Sequence, residues 1–480
     1  MTSDLRNFIT QLEARDQVRH VKVEVDPEFE IGTIQREVFD LRGPALFFEN
    51  VKGFTIPLIT GVLDTWERYG LALGLEKEEL RLPEPRIKEK LLRKLKETSQ
   101  RQIAPKVVAT GPCKENILKD ESVNLHNFPS PRWHPKDGGK YIGTLGCMVA
   151  KDPETGIRNI GVYRGQVAGK NLVAIKATQQ LGIIQQKYQR MNKPMPIAVA
   201  IGVPPKTMIA SCISAPYGVD EYALAGGIAN EPLDLVECET VDLEVPSHSE
   251  IVIEGEVPPS EEEWSEEGPF GELTGFYAGE RARRPTIHVS AITHRTNPIF
   301  QGTLEGRPPS ESATIRSVGA SAGLWGRVEK VGIPGFSKLW CDEMGCGGSF
   351  VTYASLKSHF YFGNAQQLLM AIQTVSLVRS KVTVILDDDV DIFDRGQVIW
   401  AISTNVAPHR DVVVSPNNQV GHDLDPSVDP SDRLYPRTRY SRVGIDATRF
   451  NKGFDFPEMA SPLEDQYELV RKRWKDYGIS

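Results

Sequence analysis

Two segments, "EIVIEGEV" from Glu250 and "PTIHVSAITH" from Pro285, alternate apolar and polar side chains at period two. Such alternation suits a half-buried β-strand and no helix, because successive side chains of a strand point to opposite faces. In the second segment Ile287, Val289 and Ala291 share one face, and Thr286, His288 and Ser290 the other. "NIGVYRGQVA" and "LVAIKA" add strand-like runs around Gly169-Lys170-Asn171, a hairpin signal. The stretch from about residue 140 to 300 is therefore expected to be β-rich, with a barrel as its natural form.

The flanks read differently. Leu5, Phe8, Ile9 and Leu12 recur at helical spacing behind Ser3 and Asp4 as caps, and "HVKVEVD" then alternates with Val21, Val23 and Val25 on one face. Near the other end "NAQQLLMAIQTV", with Asn364 as its cap, predicts a helix before the buried-strand candidate "KVTVILDDDVD". Ser461 and Glu464 form a capping box with Pro462 at the first helical position, and Leu463, Tyr467, Val470 and Trp474 then make an apolar stripe that should dock, for instance on a second subunit. "DLDPSVDPSDRLYP" reads as a surface loop. The basic "LRRKLKETSQRQIAP" hands over to the turn-rich "NFPSPRWHPKDGGKYIG" near residue 120, and beyond about 320 the pattern turns αβ again, so the 480 residues are expected to form units 1–120, 121–315 and 316–480.

Charge and motifs narrow the function. A formal net charge of -8 with no basic tract argues against a nucleic-acid partner. No apolar run is long enough to span a bilayer, and "MTSDLRNFITQLEARDQV" lacks a signal-peptide core, so a cytoplasmic protein is expected. The six cysteines include no C-x-x-C pair, which fits reduced thiols. "GQVAGKN" is too short for a phosphate loop and ends in Asn. "GASAGLWG" and "GCGGSF" miss the dinucleotide fingerprint, and neither G-x-S-x-G nor H-E-x-x-H occurs.

"SEEGPFGELTGFYAGE" holds Glu267 and Glu272 around a Gly-Pro-Phe-Gly hinge. Together with "NIGVYRGQVAGKN", "VECETVDLEVP", "QGTLEGRPPSE", "KVTVILDDDVD" and "GIDAT", in matching order, it makes the chain resemble the UbiD-like family of reversible, non-oxidative decarboxylases that depend on prenylated FMN. The resemblance implies a mixed α/β and α+β multidomain fold: an N-terminal α/β domain, a central FMN-binding split β-barrel, and a C-terminal α/β dimerisation domain with a long terminal helix. It implies a Glu-Arg-Glu network of Arg164, Glu267 and Glu272, with Glu272 as proton donor. Asn159 and Glu239 match positions for a divalent ion, Mn2+ or Mg2+, and Ser211 a potassium position. The third divalent ligand, ordinarily histidine, falls on Gln180, with Gln179 as the alternative neighbour to the phosphate. Lys381 matches a phosphate-binding lysine.

By the resemblance, ungapped counting from "GRPPSE" places Arg316 where small-substrate members of the family carry an apolar side chain against the substrate; a guanidinium there could pair with a second carboxylate or another anionic group, or Arg316 could sit on a helix and point away. The expected partners are an aromatic, heteroaromatic or α,β-unsaturated carboxylic acid, dicarboxylic acids included, in preference to a long-chain polyprenyl substrate, with CO2, a flavin prenyltransferase as cofactor supplier, and a second copy in a homodimer or larger assembly. A plain-FMN redox flavoprotein and an inactive assembly subunit remain alternatives.

Overall fold

A computed structural model describes residues 4–376, 380–420, 424–429, 431, 439–450, 452 and 454–478. The opening helix, Leu5–Glu13, buries Leu5, Phe8, Ile9 and Leu12, and the Asp4 carboxylate caps it by accepting from Asn7 N at 2.8 Å. The strand after it is shorter than "HVKVEVD" suggests. It ends at Val21, Val23 is 71% exposed, and Val25 forms only an isolated bridge to Val51. A four-stranded sheet follows in the order Val18–Val21, Ala45–Phe48, Leu58–Thr60, Phe300–Gln301, so its last strand comes from far along the chain.

The β-rich middle forms one large sheet. Its main path runs Arg158–Val162, Cys147–Lys151, Met195–Ile201, Ile251–Val257, Thr286–His294, Leu172–Ile175, Gly165–Gly169. The two alternating segments lie side by side, antiparallel, with Ile251 opposite His294. The hairpin at Gly169-Lys170-Asn171 forms as expected. "NIGVYRGQVA", however, is two strands that occupy opposite edges of the path, joined only by Tyr163 and Arg164. Val162 and Gly165 are three residues apart and so at most about 11 Å from each other. The edges must therefore approach, which curls the sheet into a half-barrel and puts Arg164 in its seam.

The C-terminal sheet has the order Phe336–Cys341, Val351–Leu356, Val382–Asp387, Arg439–Asp446, Val412–Val420, with parallel pairs at its centre and antiparallel pairs at both edges. Val384, Ile385 and Leu386 of "KVTVILDDDVD" are buried at its middle. Asn364 starts the helix Asn364–Val375, but its side chain accepts from Phe360 N at 3.2 Å instead of capping the helix. The terminal helix starts at Glu464 and runs nine residues to Lys472, so Ser461 and Pro462 lie before it. The Leu463 N–H is bonded to Gln466 Oε1 at 3.0 Å. The stripe of Leu463, Tyr467, Val470 and Trp474 is exposed on this chain. "DLDPSVDPSDRLYP" falls partly outside the described residues.

One core joins both ends of the chain. Trp340, fully buried, meets Trp66 edge to face at 5.9 Å, and the buried ammonium of Lys88 lies 5.1 Å from the Trp66 ring and 3.0 Å from Glu343. Trp340→Ala removes this packing and is expected to cost about 3–5 kcal/mol of stability, read as a lowered denaturation midpoint. A loss under about 1 kcal/mol would mean that this contact does not hold the two ends together.

Candidate active site

Where the seam of the half-barrel meets the helix Glu311–Val331, the fold leaves a cavity of about 410 Å3. That helix is fixed at its start: Ser310 caps it, the buried Glu311 carboxylate accepts from Gly61 N and Leu63 N at 3.0 and 2.8 Å, and Thr314 Oγ1 donates to Asp64 O. Its first turns therefore present Ser312 and Arg316, one turn apart, to the cavity wall.

In the seam, Arg164 bridges two acids. Its Nη1 lies 2.5 Å from Glu272 Oε1, its Nη2 donates to Glu267 Oε2 at 2.9 Å, and its Nε lies 2.9 Å from Glu267 Oε1. The Gly-Pro-Phe-Gly hinge brings both acids to one guanidinium. Gly268 adopts φ +88, a backbone that favours glycine, and a Cβ on Gly271 would lie 2.1 Å from His134 Cδ2. Tyr141 Oη donates to Glu267 Oε1 at 2.8 Å, and the Gly268 N–H donates to Gln166 Oε1 at 2.9 Å. All three charged residues are buried. Burial alone would pull the Arg164 guanidinium's pKa down, but the carboxylates of Glu272 and Glu267 outweigh it and hold the group firmly protonated. Arg164 and Glu272 line the cavity, whereas Glu267 stands behind them.

A second group of side chains lines the same cavity. Asn159 Nδ2 lies 3.3 Å from Gln180 Oε1 and 3.4 Å from Glu221 Oε1, and Glu221 Oε2 accepts from Ile160 N at 2.9 Å. Glu221 is almost fully buried with no cation beside it among the described residues, and burial pushes its carboxyl up to about 8. An oxygen-rich cluster around a buried acid that lacks a counter-charge suits a hard divalent ion. With two amides and one carboxylate it is a lean donor set. Among the described residues no group of three or more His, Cys, Asp or Glu could hold a metal ion. Next to it the helix Gln179–Arg190 begins without a side-chain cap, and its first residue, Gln179, has φ +52. Uncapped amides at a helix N-terminus on the cavity wall suit a phosphate group. The residues present thus fit a phosphorylated cofactor held through a cation.

Glu239 requires a correction. It lies outside the cavity that Asn159 lines, with its carboxylate 3.0 Å from Lys114 Nζ and 2.9 Å from Lys119 Nζ. The acid that stands beside Asn159 is Glu221. Lys381 is also absent from the cavity wall, since its ammonium pairs with Asp425 at 2.8 Å and donates to Ser427 Oγ. Ser211 does line the cavity, at the end of the helix Pro205–Ser211, with its hydroxyl donating to Met208 O. Sequence reading missed Glu221 and Glu305. Glu221 opens a helix, Glu221–Ala229, that is otherwise apolar and buried almost throughout, and Asp220 already caps it by accepting from Tyr222 N. An acid on such a helix with no capping duty was the available signal.

Three family models match in order: the N-terminal domain of 3-octaprenyl-4-hydroxybenzoate carboxy-lyase at residues 9–81, its Rift-related domain at 106–308, and its C-terminal domain at 313–447. The chain belongs to the UbiD family. An uncharacterised protein of Aquifex aeolicus is 35% identical over 99% of both chains. The solved structure of vanillic acid decarboxylase from Sedimentibacter hydroxybenzoicus, in closed form, is 30% identical and matches with a TM-score of 0.87 over 99% of both chains. An evolved dimeric form of the UbiD-class enzyme HmfF from Pelotomaculum thermopropionicum, in complex with prenylated FMN, is 30% identical with a TM-score of 0.81, over 96% of this chain and 99% of that one. The UbiD fold therefore extends through all three parts of the chain, and among its described residues no helix is long and apolar enough to cross a membrane.

Proposed function

We propose that this UbiD-family chain catalyses reversible, non-oxidative decarboxylation of an aromatic, heteroaromatic or α,β-unsaturated carboxylic acid with prenylated FMN. The observation that carries this reading is the Arg164 bridge, which places the Glu272 carboxyl in the cavity and keeps Glu267 behind it. Loss of CO2 from an sp2 carbon needs an electron sink that side chains do not provide, and the bound flavin supplies it.

The chain's own residues then bind, orient and move a proton. Asn159, Gln180 and Glu221 hold the divalent ion, Mn2+ or Mg2+, with Gln179 beside the phosphate, and Ser211 contributes to a potassium site. Glu272 gives its proton to the carbon that has lost CO2. Arg164 aims Glu272 and pairs with Glu267, while Tyr141 fixes Glu267 from behind. Arg316 offers its guanidinium to an anionic or polar group of the acid. The exposed terminal stripe suits a homodimer or larger assembly, and a flavin prenyltransferase supplies the cofactor.

The test is protein co-expressed with a flavin prenyltransferase and assayed on a panel of aromatic acids. CO2 release without NAD(P)H, and carboxylation of the product at high bicarbonate, are the expected results. NADH oxidation as the sole activity, with no CO2 from any acid, would reject the reading in favour of a plain redox flavoprotein.

A further inference from the structure

The cavity holds a third acid beyond the Arg164 bridge. Glu305 reaches it from the loop before the helix Glu311–Val331 and is fixed at two points. His134 Nε2 lies 2.7 Å from its backbone oxygen, and Ser312 Oγ donates to its Oε2 at 2.8 Å. Arg316, one turn beyond Ser312, lines the same wall. Its stem packs on Gly347, where a Cβ would come within 3.3 Å of the Arg316 Cβ. Among the described residues Arg316 forms no hydrogen bond and no ion pair within 4.0 Å. A half-buried guanidinium and a carboxyl thus line one cavity wall without pairing with each other.

We propose that Glu305 is a specificity-determining residue, which with Arg316 forms a subsite for a ring hydroxyl and so selects hydroxy-substituted aromatic acids over dicarboxylic ones. This rests on the decarboxylase reading above. Arg316 can only donate, whereas a carboxyl accepts when ionised and also donates when protonated. A hydroxyl does both, so its oxygen accepts from Arg316 while its hydrogen goes to Glu305, and it still fits if Glu305 takes up a proton. A second carboxylate has no hydrogen to give. It would pair with Arg316 only by standing against Glu305, in a cavity where the other guanidinium, Arg164, is already matched by two acids. Burial, and next the charge of Glu272, push the Glu305 carboxyl up to about 7, so both of its forms are present near neutral pH. Only the hydroxyl suits both.

A site with groups placed for a hydroxyl discriminates strongly against an analogue that leaves them unpaired. The test compares the holoenzyme's kcat/KM for the best hydroxybenzoate isomer, its O-methyl ether and the corresponding benzenedicarboxylate, in the wild type, Glu305→Leu and Glu305→Gln. The same ligands are titrated calorimetrically into protein loaded with plain FMN, where recognition is read without turnover. The hydroxy acid is expected to lead by at least about tenfold in both readouts. Glu305→Leu should shrink that lead to about threefold or less, chiefly through KM, and Glu305→Gln should keep most of it because the amide still accepts and donates. If Glu305→Leu does not fold, Ser312→Ala, which frees the carboxyl from its anchor, should still narrow the lead. A wild type that prefers the dicarboxylate overturns the proposal, as does a folded Glu305→Leu that keeps the full lead. If no acid releases CO2, the decarboxylase reading falls, while the binding ratios still decide the role of Glu305.

Discussion

Glu272→Gln is expected to lower kcat by at least about 100-fold while the protein keeps its flavin, since a positioned general acid contributes on the order of 10²–10⁴. Glutamine keeps the shape of the side chain, and its carbonyl can still accept from Arg164 Nη1, which lies 2.5 Å from Glu272 Oε1. The amide has no proton to transfer, so the loss falls on turnover and spares occupancy. Flavin absorbance and metal content of the purified variant, measured beside CO2 release, separate the two. Turnover like that of the wild type would mean that another group donates the proton, with Glu305 first in line because it faces Glu272 within the same cavity. Turnover lost together with the flavin would instead make Glu272 a structural support.

The parts of this site that could be read from the sequence are local. Glu267 and Glu272 are five residues apart and flank a Gly-Pro-Phe-Gly hinge, so the pair stood out as a unit. The strands Ile251–Val257 and Thr286–His294 and the opening helix were legible because each carries its own periodicity. What escaped is set by contacts between distant segments. The alternation of "NIGVYRGQVA" runs on through Tyr163 and Arg164 and hides the fact that these residues bridge opposite edges of the sheet. Glu239 sits in a motif-like stretch, but its partners Lys114 and Lys119 lie in an earlier part of the chain, and no spacing announces them. In the sequence nothing distinguishes Glu221 from an acid that complements a helix dipole, a common role at that position. Its place in an oxygen-rich cluster is visible only once the half-barrel sets Asn159 and Gln180 beside it.

Glu221→Ala is expected to reduce divalent-metal content and flavin occupancy together, by at least about tenfold, because loss of groups around a metal site ordinarily costs 10- to 100-fold in affinity. Glu221 is the single carboxylate of its donor cluster, so its removal leaves only the amide oxygens of Asn159 and Gln180 to hold the ion that neutralises the phosphate. Gln180→Ala should give a smaller loss of the same kind, as a neutral carbonyl contributes less than a carboxylate. Gln180→His should tighten manganese binding, since imidazole is the stronger donor for that ion. Glu239→Ala is the internal control: its carboxylate is engaged by two lysines outside the cavity, so metal and flavin should stay as in the wild type. Elemental analysis and flavin absorbance of the four purified variants decide the matter. If Glu239→Ala loses the metal and Glu221→Ala keeps it, the ion does not bind at Asn159, Gln180 and Glu221, and the cofactor's phosphate must be held by other groups.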